Sequence, residues 1–306
     1  MAIILDGKTL SERIRAGLKE QLELQMARGL LRPSMTAVQV GDDLPSTVYI
    51  RAKQRACEEL GIDFRHYKLP ADISMDELRR SVSEVNWDPA VHGLLVQSPL
   101  PPHLDEVEVQ RMVAPEKDVD CFHPENVGLL YIGRPRFQPC TAAGVIELLL
   151  AYGFDPAGKQ AVVIGRSVIV GRPLSLMLML KSRGGDATVT VCHSRTPNLP
   201  AITRQADILV PAVGRAEMVR GDWVKEGAVV VDVGINRVPD PSAKRGYRLV
   251  GDVAFEEVEP RVAAIAPVPG GVGPMTVAIL MGNIMRAAGY NINNMADDKD
   301  VMLQFK

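Results

Sequence analysis

Apolar positions in this chain follow two rhythms: short unbroken runs, and stretches in which they recur every three or four residues. Ile14, Leu18, Leu22 and Met26 lie four apart, the stripe of a helix that Ser11 is expected to cap and Gly29 to end. Residues 36–40 read as a strand closed by Gly41-Asp42-Asp43, 46–60 as a helix stopped by Gly61, and 64–69 as a strand. A helix over 74–86 follows, then a strand over 92–97 that runs into Ser98-Pro99-Leu100-Pro101-Pro102. Strands alternating with helices at this spacing predict a parallel sheet covered on both faces. Ligands gather beyond the carboxyl ends of such strands, which places Gly41, Ser46 and Gln97 near one rim.

The second half repeats the alternation around the stretch Ala161-Val-Val-Ile-Gly-Arg-Ser-Val-Ile-Val-Gly-Arg-Pro173. A buried strand over 161–164 turns at Gly165, and a helical pattern starts at Gly171. A strand passing through a glycine turn into a helix aims free N–H groups, and the helix dipole, at one point suited to a phosphate. Gly165 and Gly171 are six apart, with Arg166 and Ser167 between, which departs from the usual dinucleotide fingerprint. The residues alone leave a phosphate site and an ordinary turn both open. The next strand, 187–192, ends in His193-Ser194-Arg195-Thr196 rather than in an acid. An acid there would repel a 2′-phosphate, whereas Arg195 or Arg166 would attract it, so the expected nucleotide is NADP before NAD.

Strands over 207–213 and 227–233 end in Ala212-Val-Gly214 and Asp232-Val-Gly-Ile-Asn236, where glycine lets backbone approach a flat ligand. The Gly- and Pro-rich stretch 267–276 is expected to be a loop of fixed shape, followed by a last helix over 277–288. The polar tail 291–306 is expected to be loosely ordered.

The helix over 46–60 carries one feature that periodicity singles out. A turn of about 100° per residue groups Tyr49, Ala52, Lys53, Ala56 and Leu60, leaving Lys53 as the one charge in the stripe expected to face the protein. It reads either as a lysine that snorkels to solvent or as one held partly out of water for proton transfer. Helical geometry leaves both open. In Asp118-Val-Asp120-Cys-Phe-His123, acids on alternate positions point apart, which argues for an anchoring carboxylate or a turn rather than a metal site.

Composition narrows the classes. A chain of 306 residues has room for two domains of about 150. A net charge of −2, with no basic stripe, argues against a nucleic-acid partner. No apolar run reaches the roughly 18 residues of a membrane span, and the N-terminus lacks the features of a signal peptide. Four cysteines without metal spacing suit reduced thiols in the cytoplasm.

Taken together, the motifs resemble the bifunctional methylenetetrahydrofolate dehydrogenase/cyclohydrolase family over nearly the whole chain. They are Ser46-x-x-Tyr49-x-x-x-Lys53, Gly93-Leu-Leu-Val-Gln97-x-Pro-Leu-Pro101, Lys117-Asp-Val-Asp120 and Pro139-Cys-Thr141 in the first part. Gly165-Arg-Ser167 with Val170-Gly171, Val191-Cys-His-Ser194, Asp232-Val-Gly-Ile235 and Pro267-Val-Pro-Gly-Gly-Val-Gly-Pro-Met-Thr276 complete them. Each alone is weak; this many in order is specific.

The resemblance implies an α/β fold of two domains. Residues 1–140 plus 277–306 would form an N-terminal α/β folate-binding catalytic domain, to which the C-terminal helix returns. Residues 141–276 would form a Rossmann-type, doubly wound NADP-binding domain. It implies oxidation of 5,10-methylenetetrahydrofolate with NADP and hydrolysis of the methenyl product to 10-formyltetrahydrofolate, by a cytoplasmic homodimer whose small-molecule substrate is a tetrahydrofolate derivative. As in the family, Lys53 would be the general acid/base, Tyr49 would orient the folate, Gln97 would hydrogen-bond Lys53, and Asp120 would bind the pterin. Ser46, Pro269, Gly270, Gly271 and Pro274 would line the folate site with Tyr49 and Asp120. Gly165, Arg166, Ser167, Ser194, Arg195, Ile235 and Thr276 would hold the dinucleotide, with no metal.

Three residues depart from the family pattern: Ser98 for Leu, Cys121 for Gly and Ala142 for Pro. Cys121 directly follows Asp120, so folate affinity is the property it bears on. The alternative is an NADP-dependent dehydrogenase of the same fold with little or no cyclohydrolase activity. A dinucleotide-binding sensor without turnover is a third reading, which Lys53, Gln97 and Asp120 argue against.

Overall fold

The computed structural model describes residues 1–243 and 246–292, so the expected order of the tail lies, beyond residue 292, outside the described residues. In chain order the first elements are β1 (Ile3–Ile4), α1 (Gly7–Met26), β2 (Ser34–Val40), α2 (Leu44–Leu60), β3 (Asp63–Leu69), α3 (Met75–Trp87) and β4 (Gly93–Val96). They are followed by α4 (Glu106–Gln110), α5 (Pro124–Tyr131), α6 (Cys140–Ala151), β5 (Gln160–Ile164), α7 (Gly171–Met179), β6 (Thr188–Cys192) and α8 (Leu199–Thr203). The last are β7 (Ile208–Pro211), β8 (Val229–Val231), β9 (Asn236–Pro239), β10 (Tyr247–Val250), α9 (Phe255–Val258), β11 (Ala264–Ala266) and α10 (Val272–Ala287).

The chain divides into two compact units, one of Arg13–Cys140 with 277–292, the other of Met1–Glu12 with Thr141–Thr276. In the first, β3, β2 and β4 form a parallel sheet in that order. Central β2 is buried along nearly its whole length, and Val38, Val40, Leu78, Val82 and Leu94 pack in the core beside it. The carboxyl ends of β2 and β4 therefore emerge side by side, and Gly41 and Gln97 follow them directly.

The second unit holds a six-stranded sheet of order β1-β11-β8-β7-β5-β6, with every pairing parallel, and a separate β9–β10 hairpin. The chain passes from β5 to β6 on one side and then to β7 on the other. The order thus reverses at β5, and the crevice between the carboxyl ends of β5 and β7 is the switch point where such sheets bind ligands. Val162, Ile164, Leu209, Val230 and Ile265 form the core under this sheet.

Four sequence expectations change. Residues 1–12, expected with the first domain, group with the second because Ile3 and Ile4 pair with Ala264 and Ile265. Helix α1 starts before Ser11, whose hydroxyl donates to the Lys8 carbonyl; Asp6 instead accepts from the Thr9 amide at 3.0 Å, the bond of an N-cap. Helix α10 begins at Val272, inside the stretch expected to be loop, because Pro274 falls in the first turn, where no N–H is required. On α2 the buried residues are Ser46, Ile50, Ala56, Cys57 and Leu60, so Tyr49 and Ala52 lie outside the buried stripe and Lys53 on its border. Among the described residues no helix is long and apolar enough to cross a membrane.

Candidate active site

Helix α2 is set by its ends. The Asp43 carboxylate accepts from the Ser46 amide at 2.8 Å, proline occupies the first turn, and Gly61 closes the helix in the left-handed conformation at φ 80°. This fixes Lys53, which donates from Nζ to Gln97 Oε1 at 3.2 Å and lies 3.9 Å from Asp120 Oδ2. Its side chain is 15% exposed and that of Asp120 is 19% exposed, so the pair is held largely away from water without being sealed from it. Tyr49, one turn earlier, is half exposed. Ser46 is buried and donates from Oγ to the Ser98 carbonyl at 3.4 Å, the same oxygen that receives Gln97 Nε2 at 2.7 Å.

The loop bearing Asp120 is organised by the other acid of the motif. Asp118 is buried and accepts from the amides of Phe122 and His123 and from Asn126 Nδ2, while burial raises its carboxyl above the ordinary value. The two acids do diverge: Asp118 ties the loop and Asp120 faces Lys53. His123 is spent as the N-cap of α5, its Nδ1 accepting from Glu125 N at 3.1 Å.

Cys140 lies 3.7 Å from Asp120 Oδ1, and burial followed by the Asp120 charge pushes its thiol well above the usual value, so it acts as a weak donor rather than a nucleophile. Asn283, fully buried on α10, donates to the carbonyls of Val119 and Gln138, each at 2.8 Å. It thereby pins the segments leading into Asp120 and Cys140. Sequence reasoning did not single out Asn283; its signal is a lone amide in the apolar run Ala278-Ile-Leu-Met-Gly-Asn-Ile-Met285.

In the second unit the turn after β5 has the form a phosphate requires. A Cβ on Gly165 would fall 2.3 Å from the Ala212 carbonyl oxygen, and one on Gly171 would fall 2.2 Å from that of Gly165. Only glycine permits either approach. Ser167 Oγ accepts from the amides of Val170 and Gly171 at 3.1 and 3.4 Å, leaving its proton to give outward at the start of α7. Arg166, Ser194, Arg195 and Ile235 are exposed on the loops after β5, β6 and β8. The structure thus places those four with Gly165 and Ser167 at the carboxyl ends of one sheet. Thr276 is on α10, its hydroxyl donating to the Gly273 carbonyl at 2.7 Å. Gly270 accepts from Lys8 N at 2.9 Å, and Gly271 is packed so closely to Pro267 and Ala266 that a Cβ would meet the Pro267 oxygen at 2.8 Å. Pro269 and Pro274 flank them.

Two family models match the chain: the tetrahydrofolate dehydrogenase/cyclohydrolase catalytic domain over residues 5–120, and the NAD(P)-binding domain of the same family over 139–292. The bifunctional protein FolD of Moorella thermoacetica is 51% identical over 287 residues, covering 94% of this chain and 99% of its own. That of Chloroherpeton thalassium is 48% identical over 287 residues, covering 93% and 98%. Among solved structures, the bifunctional FolD dehydrogenase/cyclohydrolase of Campylobacter jejuni matches with a TM-score of 0.88 at 45% identity, covering 94% of this chain and 99% of that one. The methylenetetrahydrofolate dehydrogenase-cyclohydrolase of Trypanosoma brucei, complexed with NADP and inhibitor, matches at 0.89 and 42% identity, covering 94% and 97%.

Proposed function

The chain belongs to the tetrahydrofolate dehydrogenase/cyclohydrolase family, and we propose that its two reactions run at the ammonium of Lys53, with Tyr49, Gln97 and Asp120 around it. It is a bifunctional enzyme that oxidises 5,10-methylenetetrahydrofolate to the methenyl form with NADP and hydrolyses that product to 10-formyltetrahydrofolate. The observation that carries the site is the Lys53–Gln97–Asp120 contact set, partly withdrawn from water.

NADP, when bound, accepts the hydride that the lone pairs of the two flanking nitrogens expel from the one-carbon unit. The carbon left behind is already electrophilic, so hydration chiefly needs protons managed. Lys53 in its neutral amine form takes the proton of the attacking water and, as the ammonium so formed, returns it to the departing ring nitrogen. Gln97 accepts from the amine, and its own NH2 is engaged by Ser98, so the amide oxygen stays turned toward Lys53. Asp120 offers a carboxylate to the donor edge of the pterin, and Tyr49 contacts the folate with Pro269, Gly270, Gly271 and Pro274, while Ser46, buried with its hydroxyl on the Ser98 carbonyl, backs that wall. Gly165 and Ser167 would hold the pyrophosphate, Arg166 and Arg195 the 2′-phosphate, and Ser194, Ile235 and Thr276 would complete the nucleotide contacts.

We assign folate binding chiefly to 13–140 with 277–292, and NADP binding to 141–276, the unit with which residues 1–12 group. The protein is proposed to work as a homodimer. Supporting this, among the described residues β6 pairs only with β5, and Val191 on it is 40% exposed, an open edge of the kind that proteins cover. A cytoplasmic site is supported by four free cysteines.

Following NADPH absorbance and loss of methenyl absorbance on one preparation tests the assignment. Lys53→Ala loses hydration while NADP affinity is kept; equal loss of both would make Lys53 a structural residue.

A further inference from the structure

Two aspartates in the nucleotide unit are buried without an ion-pair partner among their described contacts, Asp232 at 3% exposure and Asp252 at 0%. Burying a charge is costly unless hydrogen bonds replace the water it gives up, so their partners show what the cost secures. Asp252 Oδ2 accepts from the amides of Val213 and Gly214 at 2.6 and 3.0 Å, and its Oδ1 from the Arg215 amide at 2.8 Å and Asn236 Nδ2 at 2.9 Å. Three successive amides after β7 and the residue next to Ile235 thus converge on one carboxylate. Asp232 Oδ1 accepts from Gly234 N and Asp252 N, and its Oδ2 from Val253 N, which holds the backbone of Asp252 itself.

The approach is built in. A Cβ on Gly234 would lie 2.2 Å from the Asp252 carboxyl, and one on Gly251 would lie 1.8 Å from Asp232 Oδ2. The loop that Asp252 gathers follows Ala212, whose carbonyl a Cβ on Gly165 would strike at 2.3 Å. It therefore borders the switch point between β5 and β7. The second segment it holds carries Ile235 after β8.

We infer that Asp252 is a positioning residue for the dinucleotide: it draws the loops after β7 and β8 into the shape that binds NADP, without touching the nucleotide itself. The inference rests on NADP lying over the carboxyl ends of β5 and β7. An alternative role, bracing the unit as a whole, makes a different prediction, because global loosening lowers stability and every activity together.

The test is calorimetric titration of the full chain with NADP, which reads binding without turnover. Asp252→Asn keeps the shape but turns NH2 protons toward amide donors. Its Kd for NADP rises about tenfold or more, while hydrolysis of supplied methenyltetrahydrofolate stays within about twofold. Asn236→Ala removes a single donor from the set and raises the Kd about threefold, which decides the matter should Asp252→Asn not fold. Unchanged affinity in the variants that fold, or parallel loss of affinity, hydrolysis and melting temperature, overturns the inference. Arg166→Ala and Arg195→Ala serve as the control. If these weaken NADP and the Asp252 and Asn236 variants do not, the positioning role fails; if none of the four alters affinity, the nucleotide lies elsewhere.

Discussion

Lys53 donates to Gln97 Oε1 at 3.2 Å, and Gln97 donates in turn to the Ser98 carbonyl at 2.7 Å, so the amide is clamped with its oxygen toward the ammonium. Gln97→Leu removes the acceptor and the clamp together while roughly keeping the volume. Cyclohydrolase kcat falls about 10- to 100-fold, since a misaligned proton carrier forfeits much of what general acid–base catalysis contributes. NADP affinity by titration is unchanged. Full hydrolysis by this variant would remove Gln97 from the proton path.

Cys121 adopts φ 64°, the left-handed region that favours glycine, at the position where the family usually has Gly. The buried thiol points to the Phe137 carbonyl at 3.4 Å, so side-chain burial offsets part of the backbone cost. Cys121→Gly relieves roughly 1 kcal/mol of strain and loses a comparable burial, leaving urea stability within about 1 kcal/mol of the parent. Cys121→Val is β-branched, and there the strain wins: stability drops by about 2 kcal/mol and KM for methylenetetrahydrofolate rises as Asp120 shifts. Equal stability of the two variants would show that this backbone conformation costs nothing.

Much of this was legible in the residues. The glycine turn at Gly165 and the strand–helix alternation follow from local chemistry, and the family motifs single out Lys53, Gln97 and Asp120, whose side chains the structure brings together. What periodicity missed depends on tertiary contacts. A stripe at about 100° per residue placed Tyr49 inside α2's buried face, but the pattern has no knowledge of where the sheet ends; the burial runs through Ile50 and Cys57 instead. The stretch 267–276 looked too rich in Gly and Pro for helix, yet proline in a first turn costs no hydrogen bond, so α10 starts within it. Asp252 and Asn283 left little trace because most of their partners are main-chain groups, which any sequence supplies.

Asn283 is the buried amide on which two backbone carbonyls depend, those of Val119 and Gln138. Asn283→Leu leaves both without that donor in an apolar setting, a loss of about 2–4 kcal/mol by chemical denaturation. Asn283→Asp presents oxygens to both carbonyls and is worse. Because Val119 precedes Asp120, the residual folded enzyme shows a raised KM for the folate and an unaltered Kd for NADP. A stable Leu variant with normal folate KM would mean that neither carbonyl depends on Asn283.

Asp232 gives the enzyme a pH dependence of stability with an unusual sign. Burial pushes its carboxyl from 3.8 up to about 7, with Asp252 adding repulsion and three backbone amides pulling the other way. The folded chain therefore keeps a proton that the unfolded chain releases. This contribution is fully present below about pH 4 and is lost as pH climbs to about 7, at up to about 1.4 kcal/mol per unit. Most paired carboxylates act in the opposite direction, losing stability as pH falls. In Asp232→Asn nothing titrates at this position, so the decline in melting temperature between pH 5 and 7 becomes shallower than in the parent, whatever the absolute stability. Parallel curves for the two proteins would mean that Asp232 is ionised throughout that range, held so by the amides of Gly234, Asp252 and Val253.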